Sequence, residues 1–168
     1  MFYKMIENKC KEWYNSDQCT VRNLIEYIEK TGQMRDAQIE AIKVYLFLKI
    51  GCECKPLEFL FRYGCFNSIN LNKIELSTAT REYLEENPAA TALFEYSRLT
   101  NDKGEQVSEK LEKQIKKDPS SIDYDAFFRT AFYGVSYTDY LFSLPMGAGK
   151  TYLMAAFIYL DLYFALNE

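Results

Sequence analysis

Apolar residues recur every three or four positions along most of the chain, which is the pattern of amphipathic helices. One helix is predicted from a Thr20 cap to about Thr31, with Gly32 as its stop. The most strongly patterned helix is predicted from an Asp36 cap to Gly51. Further helices are predicted over residues 1–14, 56–64, 77–86, 88–99, 105–117 and 123–133.

One segment departs from the helical pattern. Residues 137–143 form a short segment rich in aromatic side chains, which is typical of a buried strand. A helix is predicted after this segment, over residues 152–166. A single strand cannot satisfy its own backbone groups, so we expect it to be exposed, paired with another copy, or irregular. The predicted fold is therefore mainly α, with a helical N-terminal domain over 1–135 and a second element group over 136–168.

Between the predicted strand and the last helix lies a glycine-containing loop. Its two glycines permit a tight turn that points successive backbone N–H groups into one concavity, and the following helix N-terminus adds partial positive charge. Such a concavity fits a phosphate; Lys150 would reach the β- and γ-phosphates of a nucleotide, and the Thr151 hydroxyl would ligate Mg²⁺. The alternative is an ordinary glycine turn. The loop, residues 144–151, consists of Leu144, Pro145, Met146, Gly147, Ala148, Gly149, Lys150 and Thr151.

The amino-acid composition disfavours several classes of protein and kinds of site. Of the 168 residues, 48% are apolar, which makes a disordered chain an unfavourable interpretation. The net charge is −4, so the sequence does not predict a positively charged surface that would bind nucleic acid. There is no histidine, so histidine acid–base catalysis and most zinc sites are excluded. Five cysteines favour reduced thiols in a cytoplasmic chain, and the Cys52-Glu53-Cys54 pair has no partner pair at metal spacing. No apolar run is long enough for a membrane span, so we expect a soluble protein.

Gln38 lies in the first turn of the strongly patterned helix. Pattern alone predicts a solvated polar position, because glutamine is a good helix former. A glutamine amide also carries donors and an acceptor, which suits pairing with the N6 and N7 edge of an adenine. Both interpretations stay open at this point.

A second acidic element that could hold Mg²⁺ and orient water is missing from the sequence. Residues 157–161, Phe-Ile-Tyr-Leu-Asp, imitate an apolar strand that ends in aspartate, but they fall only eleven residues after Lys150, within the predicted helix. No catalytic set is complete, and the chain alone is predicted to be inactive as an ATPase.

Two segments resemble a known family. Residues 144–151 resemble motif I of superfamily-two DEAD/DEAH-box helicases and translocases, of the type III restriction-subunit kind found in bacterial defence systems. Residues 34–42, Met-Arg-Asp-Ala-Gln-Ile-Glu-Ala-Ile, are similar to the family's upstream segment, whose glutamine contacts the adenine. The resemblance implies that 136–168 begin a RecA-like α/β motor domain, truncated after its first strand, P-loop and helix. In that family the two segments usually lie a few tens of residues apart, whereas Gln38 and Lys150 are 112 apart, so residues 52–130 would be a helical insertion.

The resemblance implies an ATP-binding, Mg²⁺-dependent segment of a helicase or translocase that acts on DNA or RNA through the full-length motor. Two alternatives remain. The helical part could be a module that docks a protein partner or DNA beside a non-functional loop, or the chain could be another P-loop protein such as a kinase.

Overall fold

The structure is a computed structural model that describes residues 2–134, 140–144 and 146–167. Within these ranges the chain forms α-helices joined by short turns, with a π-helical turn at Phe47–Gly51 and 3-10 turns at Leu71–Lys73 and Pro119–Ser121. The helices are α1 (Tyr3–Asn15), α2 (Arg22–Thr31), α3 (Asp36–Leu46), α4 (Leu57–Arg62), α5 (Thr78–Glu86), α6 (Pro88–Arg98), α7 (Glu109–Lys117), α8 (Tyr124–Ala131) and α9 (Lys150–Asn167).

The mainly α prediction is confirmed, but the predicted strand at 137–143 is not. Residues 140–143 carry neither strand nor helix, and residues 137–139 lie outside the described ranges. In the described part of the chain the only β-type pairing is an isolated bridge between Thr100 and Gln106. A strand needs a neighbouring strand to pair its backbone groups, and no described segment supplies one.

Several predicted helix ends shift by a few residues. Val21 rather than Thr20 is the cap of α2, whereas Gly32 does follow its last residue, as predicted. Asp36 is the first residue of α3 and Arg35 is the cap. The last predicted turn of that helix widens into the π-helical turn Phe47–Gly51. The α7 helix begins after a Ser108 cap, because the hydroxyl accepts the Leu111 N–H.

One compact unit comprises Met1–Lys9 and Lys55–Asp139. Helix α6 lies at its centre and packs against α4, α5, α7 and α8. Three alanines of α6 let neighbouring helices approach closely, and Leu93 and Phe94 fill the space between them. The buried alanines are Ala89, Ala90 and Ala92.

Aromatic side chains fill the contact between α4 and α8. The fully buried Phe61 ring lies 5.9 Å from Phe128 and 5.3 Å from Phe132, both stacked. The ring centroids of Phe66 and Phe2 lie 4.7 and 4.8 Å from the centroid of the Phe61 ring. Offset aromatic packing of this kind adds to the area that the rings bury, so Phe61 is a principal source of the unit's stability.

A buried carboxylate fixes the turn that follows α4. Glu95 on α6 accepts the backbone N–H groups of Ser68 (2.9 Å) and Ile69 (3.1 Å). It also accepts the Ser68 hydroxyl at 2.6 Å. A carboxylate that receives three donors can lie in a core, since each bond replaces one to water. The loop of residues 66–73 is thereby held against α6.

The other compact unit comprises Cys10–Cys54 and Tyr140–Glu168. Helix α3 packs against α2 and α9, with Ile39, Ile42 and Leu46 buried. Gly51 ends the π-helical turn where a Cβ would lie 2.9 Å from the Phe47 ring and 3.1 Å from the Trp13 indole nitrogen. The absence of a side chain at Gly51 therefore lets this turn close against Trp13.

Helix α9 carries apolar residues on both its buried and its exposed sides. Leu153 and Leu160 are buried, whereas Met154, Ile158 and Leu162 are more than half exposed. Helix α9 spans 18 residues, and neither it nor any other helix in the described ranges has the length and apolar character that a membrane crossing needs.

Candidate functional site

Two glycines give the loop of residues 144–151 its backbone shape. Gly147 has φ of 77° and Gly149 has φ of 76°, in the left-handed region that side chains disfavour. Met146, before them, is almost fully exposed, and Ala148 is buried. Pro145 falls outside the described residues. The loop is a tight turn that leads directly into α9.

Lys150 and Thr151 are the first two residues of α9, and both are exposed. The first N–H groups of a helix have no acceptor within it, and the dipole concentrates partial positive charge there. In α9 the Tyr152 N–H already donates to the Gly149 carbonyl at 3.1 Å, so the donors in question are those that precede it. Lys150, with its ammonium group, and Thr151, with its hydroxyl, are part of the first turn of α9. The segment can therefore present backbone donors, one cation and one hydroxyl to an anion.

Gln38 is buried, with only 3% of its surface exposed, so the pattern-based prediction of a solvated position is wrong. Its Oε1 accepts the Arg35 N–H at 2.8 Å, which completes the first turn of α3. Its Nε2 donates to the carbonyl oxygen of Gly149 at 3.0 Å. The second partner is 111 positions away, which is why helical periodicity could not reveal it.

Arg35 makes a second contact between the same two segments, and Tyr152 makes one just outside them. The Arg35 guanidinium donates to the carbonyl oxygen of Gly147. The Tyr152 hydroxyl donates to the carbonyl oxygen of Gly32 at 3.0 Å. Sequence reasoning gave neither residue a role, because an arginine and a tyrosine near helix starts carry no periodic signal. The segments that the resemblance pairs, 34–42 and 144–151, thus contact each other directly.

The close approach also explains Gly149. A Cβ placed there would lie 2.7 Å from the Gln38 amide nitrogen, nearer than atoms normally come. Its positive φ adds strain for any other residue. Glycine at position 149 therefore allows both the backbone turn and the close approach of the Gln38 side chain.

The far part of α9 is attached to α3 and to the turn after it by polar and aromatic contacts. Asp161 lies inside α9, as its spacing predicted, and pairs with Lys49 at 2.7 Å and with the Tyr45 hydroxyl. Burial alone would raise the pKa of the Asp161 carboxyl, but the hydrogen bonds from Lys49 and Tyr45 outweigh it and hold the pKa below its usual value. The Tyr45 ring stacks on Phe157 with centroids 4.4 Å apart.

The described residues contain no group of three or more histidine, cysteine, aspartate or glutamate side chains placed to hold a metal ion. Cys52 is buried and Cys54 exposed. Thr151 as a Mg²⁺ ligand and Gln38 as an adenine contact stay predictions. Comparisons with protein-family models, with curated proteins and with solved structures find no match to the chain.

Proposed function

We propose that residues 144–151 bind Mg·ATP and that the chain is the ATP-binding N-terminal segment of a nucleic-acid helicase or translocase of a bacterial restriction or defence system. One observation carries the proposal. The Gln38 amide donates to Gly149, immediately before Lys150, although the two residues are 111 positions apart. The contact joins the two segments whose sequences resemble the helicase family.

The chemistry of the loop suits a triphosphate. Backbone N–H groups at the start of α9 would bind phosphate oxygens, Lys150 would neutralise the terminal phosphates, and Thr151 would ligate Mg²⁺. Met146 and Gly147 lie at the open side of the loop, and a Cβ on Gly147 would meet nothing within 4 Å. There is therefore space beside the turn for a ligand.

Two features of the fold support the motor assignment. The exposed apolar side of α9 suits a helix that packs against a further layer, which the sheet of a RecA-like domain would provide. Residues Lys55–Asp139 cluster with Met1–Lys9 rather than with the segments that carry Gln38 and Lys150, in keeping with a helical insertion. In this proposal the motor acts on DNA or RNA in the cytoplasm, and the inserted helices offer a surface for a protein partner.

Replacing Lys150 with alanine tests the nucleotide site. A charged hydrogen-bond donor contributes enough that its loss should weaken Mg·ATP binding by roughly 10- to 100-fold, which would abolish detectable binding if the native affinity is low. Isothermal titration calorimetry measures this. Lys11→Ala removes an exposed lysine of the same unit and should bind as the native chain does. Equal affinity of the Lys150→Ala and native proteins would show that Lys150 has no role in binding.

A further inference from the structure

The segment before α3 contacts two carbonyl groups of the glycine loop. Arg35 donates to the Gly147 carbonyl and Gln38 to the Gly149 carbonyl. No described peptide bond is cis. In a trans peptide the C=O and the N–H of the next residue point in opposite directions. The N–H groups of Ala148 and Lys150 therefore point away from Arg35 and Gln38.

We propose that Gln38 and Arg35 are positioning residues for phosphate binding. Arg35 holds the Gly147 carbonyl, and Gln38 adds a third donor to the Gly149 carbonyl, which also accepts the N–H groups of Tyr152 and Leu153 at the start of α9. Two peptide N–H groups thereby face outward, so that the loop is organised before a phosphate arrives. The proposal rests on the proposed function, because it takes the phosphates of a nucleotide as the ligand of these N–H groups. Its consequence is that losing Gln38 weakens binding of any triphosphate, with or without a base.

The hydrogen bonds of Gln38 argue against a role confined to the base. Pairing with the adenine edge needs one amide donor and one amide acceptor, both accessible. Here Oε1 accepts from Arg35 and Nε2 donates to Gly149, which leaves one lone pair and one N–H of the amide. Since the side chain is only 3% exposed, these remaining sites are not accessible to a base. The amide supports the loop in this arrangement.

The two anchors differ in their surroundings. The Gln38 side chain is buried and its bond to Gly149 is part-buried, whereas the Arg35 side chain is exposed and its bond competes with solvent. We expect Arg35→Leu to weaken binding in the same direction as changes at Gln38.

Hydrogen exchange on the ligand-free chain tests the anchoring itself. Gln38→Glu keeps an oxygen that accepts the Arg35 N–H, and so keeps the start of α3, but it replaces the donor to Gly149 with a carboxylate oxygen that repels the Gly149 carbonyl. We expect faster amide exchange over residues 146–151 in this variant and unchanged exchange over α3. Gln18→Glu places the same charge at an exposed position of the same unit and should leave the loop unaffected. Native exchange rates in the Gln38→Glu loop would overturn the proposal.

Binding measurements then separate phosphate positioning from base contact. We expect Gln38→Leu to weaken the binding of Mg·ATP and of magnesium tripolyphosphate by the same factor, about tenfold. The control variant Gln18→Leu should bind both ligands with the affinity of the native chain. A loss of ATP binding with native tripolyphosphate binding would assign Gln38 to the base and overturn the proposal, as would native affinity for both. If the native chain binds neither ligand, the proposed function fails, while faster loop exchange in Gln38→Glu would still support the anchoring.

Discussion

The purified 168-residue protein should release no phosphate from Mg·ATP above the buffer background. Phosphoryl transfer depends on positioning and charge stabilisation, and each missing part costs orders of magnitude in rate. Asp161 is eleven residues beyond Lys150 in α9, roughly 16 Å at about 1.5 Å per residue, and is paired with Lys49. It is too far along the helix to share a Mg²⁺ with Thr151.

A phosphate-release assay with two variants decides this prediction. The Lys150→Ala protein provides the background of a chain without the nucleotide lysine, and Asp161→Asn removes the one carboxylate that imitates a motor motif. Turnover that disappears in Lys150→Ala but persists in Asp161→Asn would contradict the prediction. It would mean that carboxylates other than Asp161 complete an active site.

Phe61→Ala should be among the most destabilising single changes in the unit that contains α4, α6 and α8. The side chain is 0% exposed and four aromatic rings surround it. Removing a buried phenylalanine ring leaves a cavity as well as lost contacts and typically costs 3–5 kcal/mol. Such a loss should lower the midpoint of thermal unfolding by roughly 10 °C, measured by circular dichroism.

Phe59→Ala is the matched control for this change. Phe59 lies two residues earlier in the same helix, stacks only on Tyr63 among the described rings, and is 38% exposed. We expect it to lower stability by about 1 kcal/mol, since little buried area is lost. Equal destabilisation by the two substitutions would contradict the position of Phe61 at the centre of an aromatic core.

Most of the helical fold could be predicted because it follows from local pattern. The spacing of Ile39, Ile42 and Leu46 identifies the buried side of α3, and Pro88 marks the first residue of α6. The strand at 137–143 was predicted from residue types alone. Its residues 140–143 are irregular, because a strand also depends on a neighbour that local composition does not supply.

The candidate site was only partly accessible to sequence reasoning. The glycines, Lys150 and Thr151 are consecutive, so their chemistry is visible in one short segment. The burial of Gln38 and the roles of Arg35 and Tyr152 depend on contacts with residues more than a hundred positions away. Asp161 was correctly predicted to lie within a helix, but its pairing with Tyr45 and Lys49 needed the packed structure.

Backbone amide chemical shifts recorded during titration with Mg·ATP test the central claim most directly, because they locate the ligand residue by residue. We expect the largest chemical-shift changes at Gly147, Ala148, Lys150 and Thr151. In the Lys150→Ala variant the amides of this loop should not shift when Mg·ATP is added. Changes centred instead on the open cleft lined by Lys73, Ser77 and Arg81, with the glycine loop unperturbed, would contradict nucleotide binding at residues 144–151.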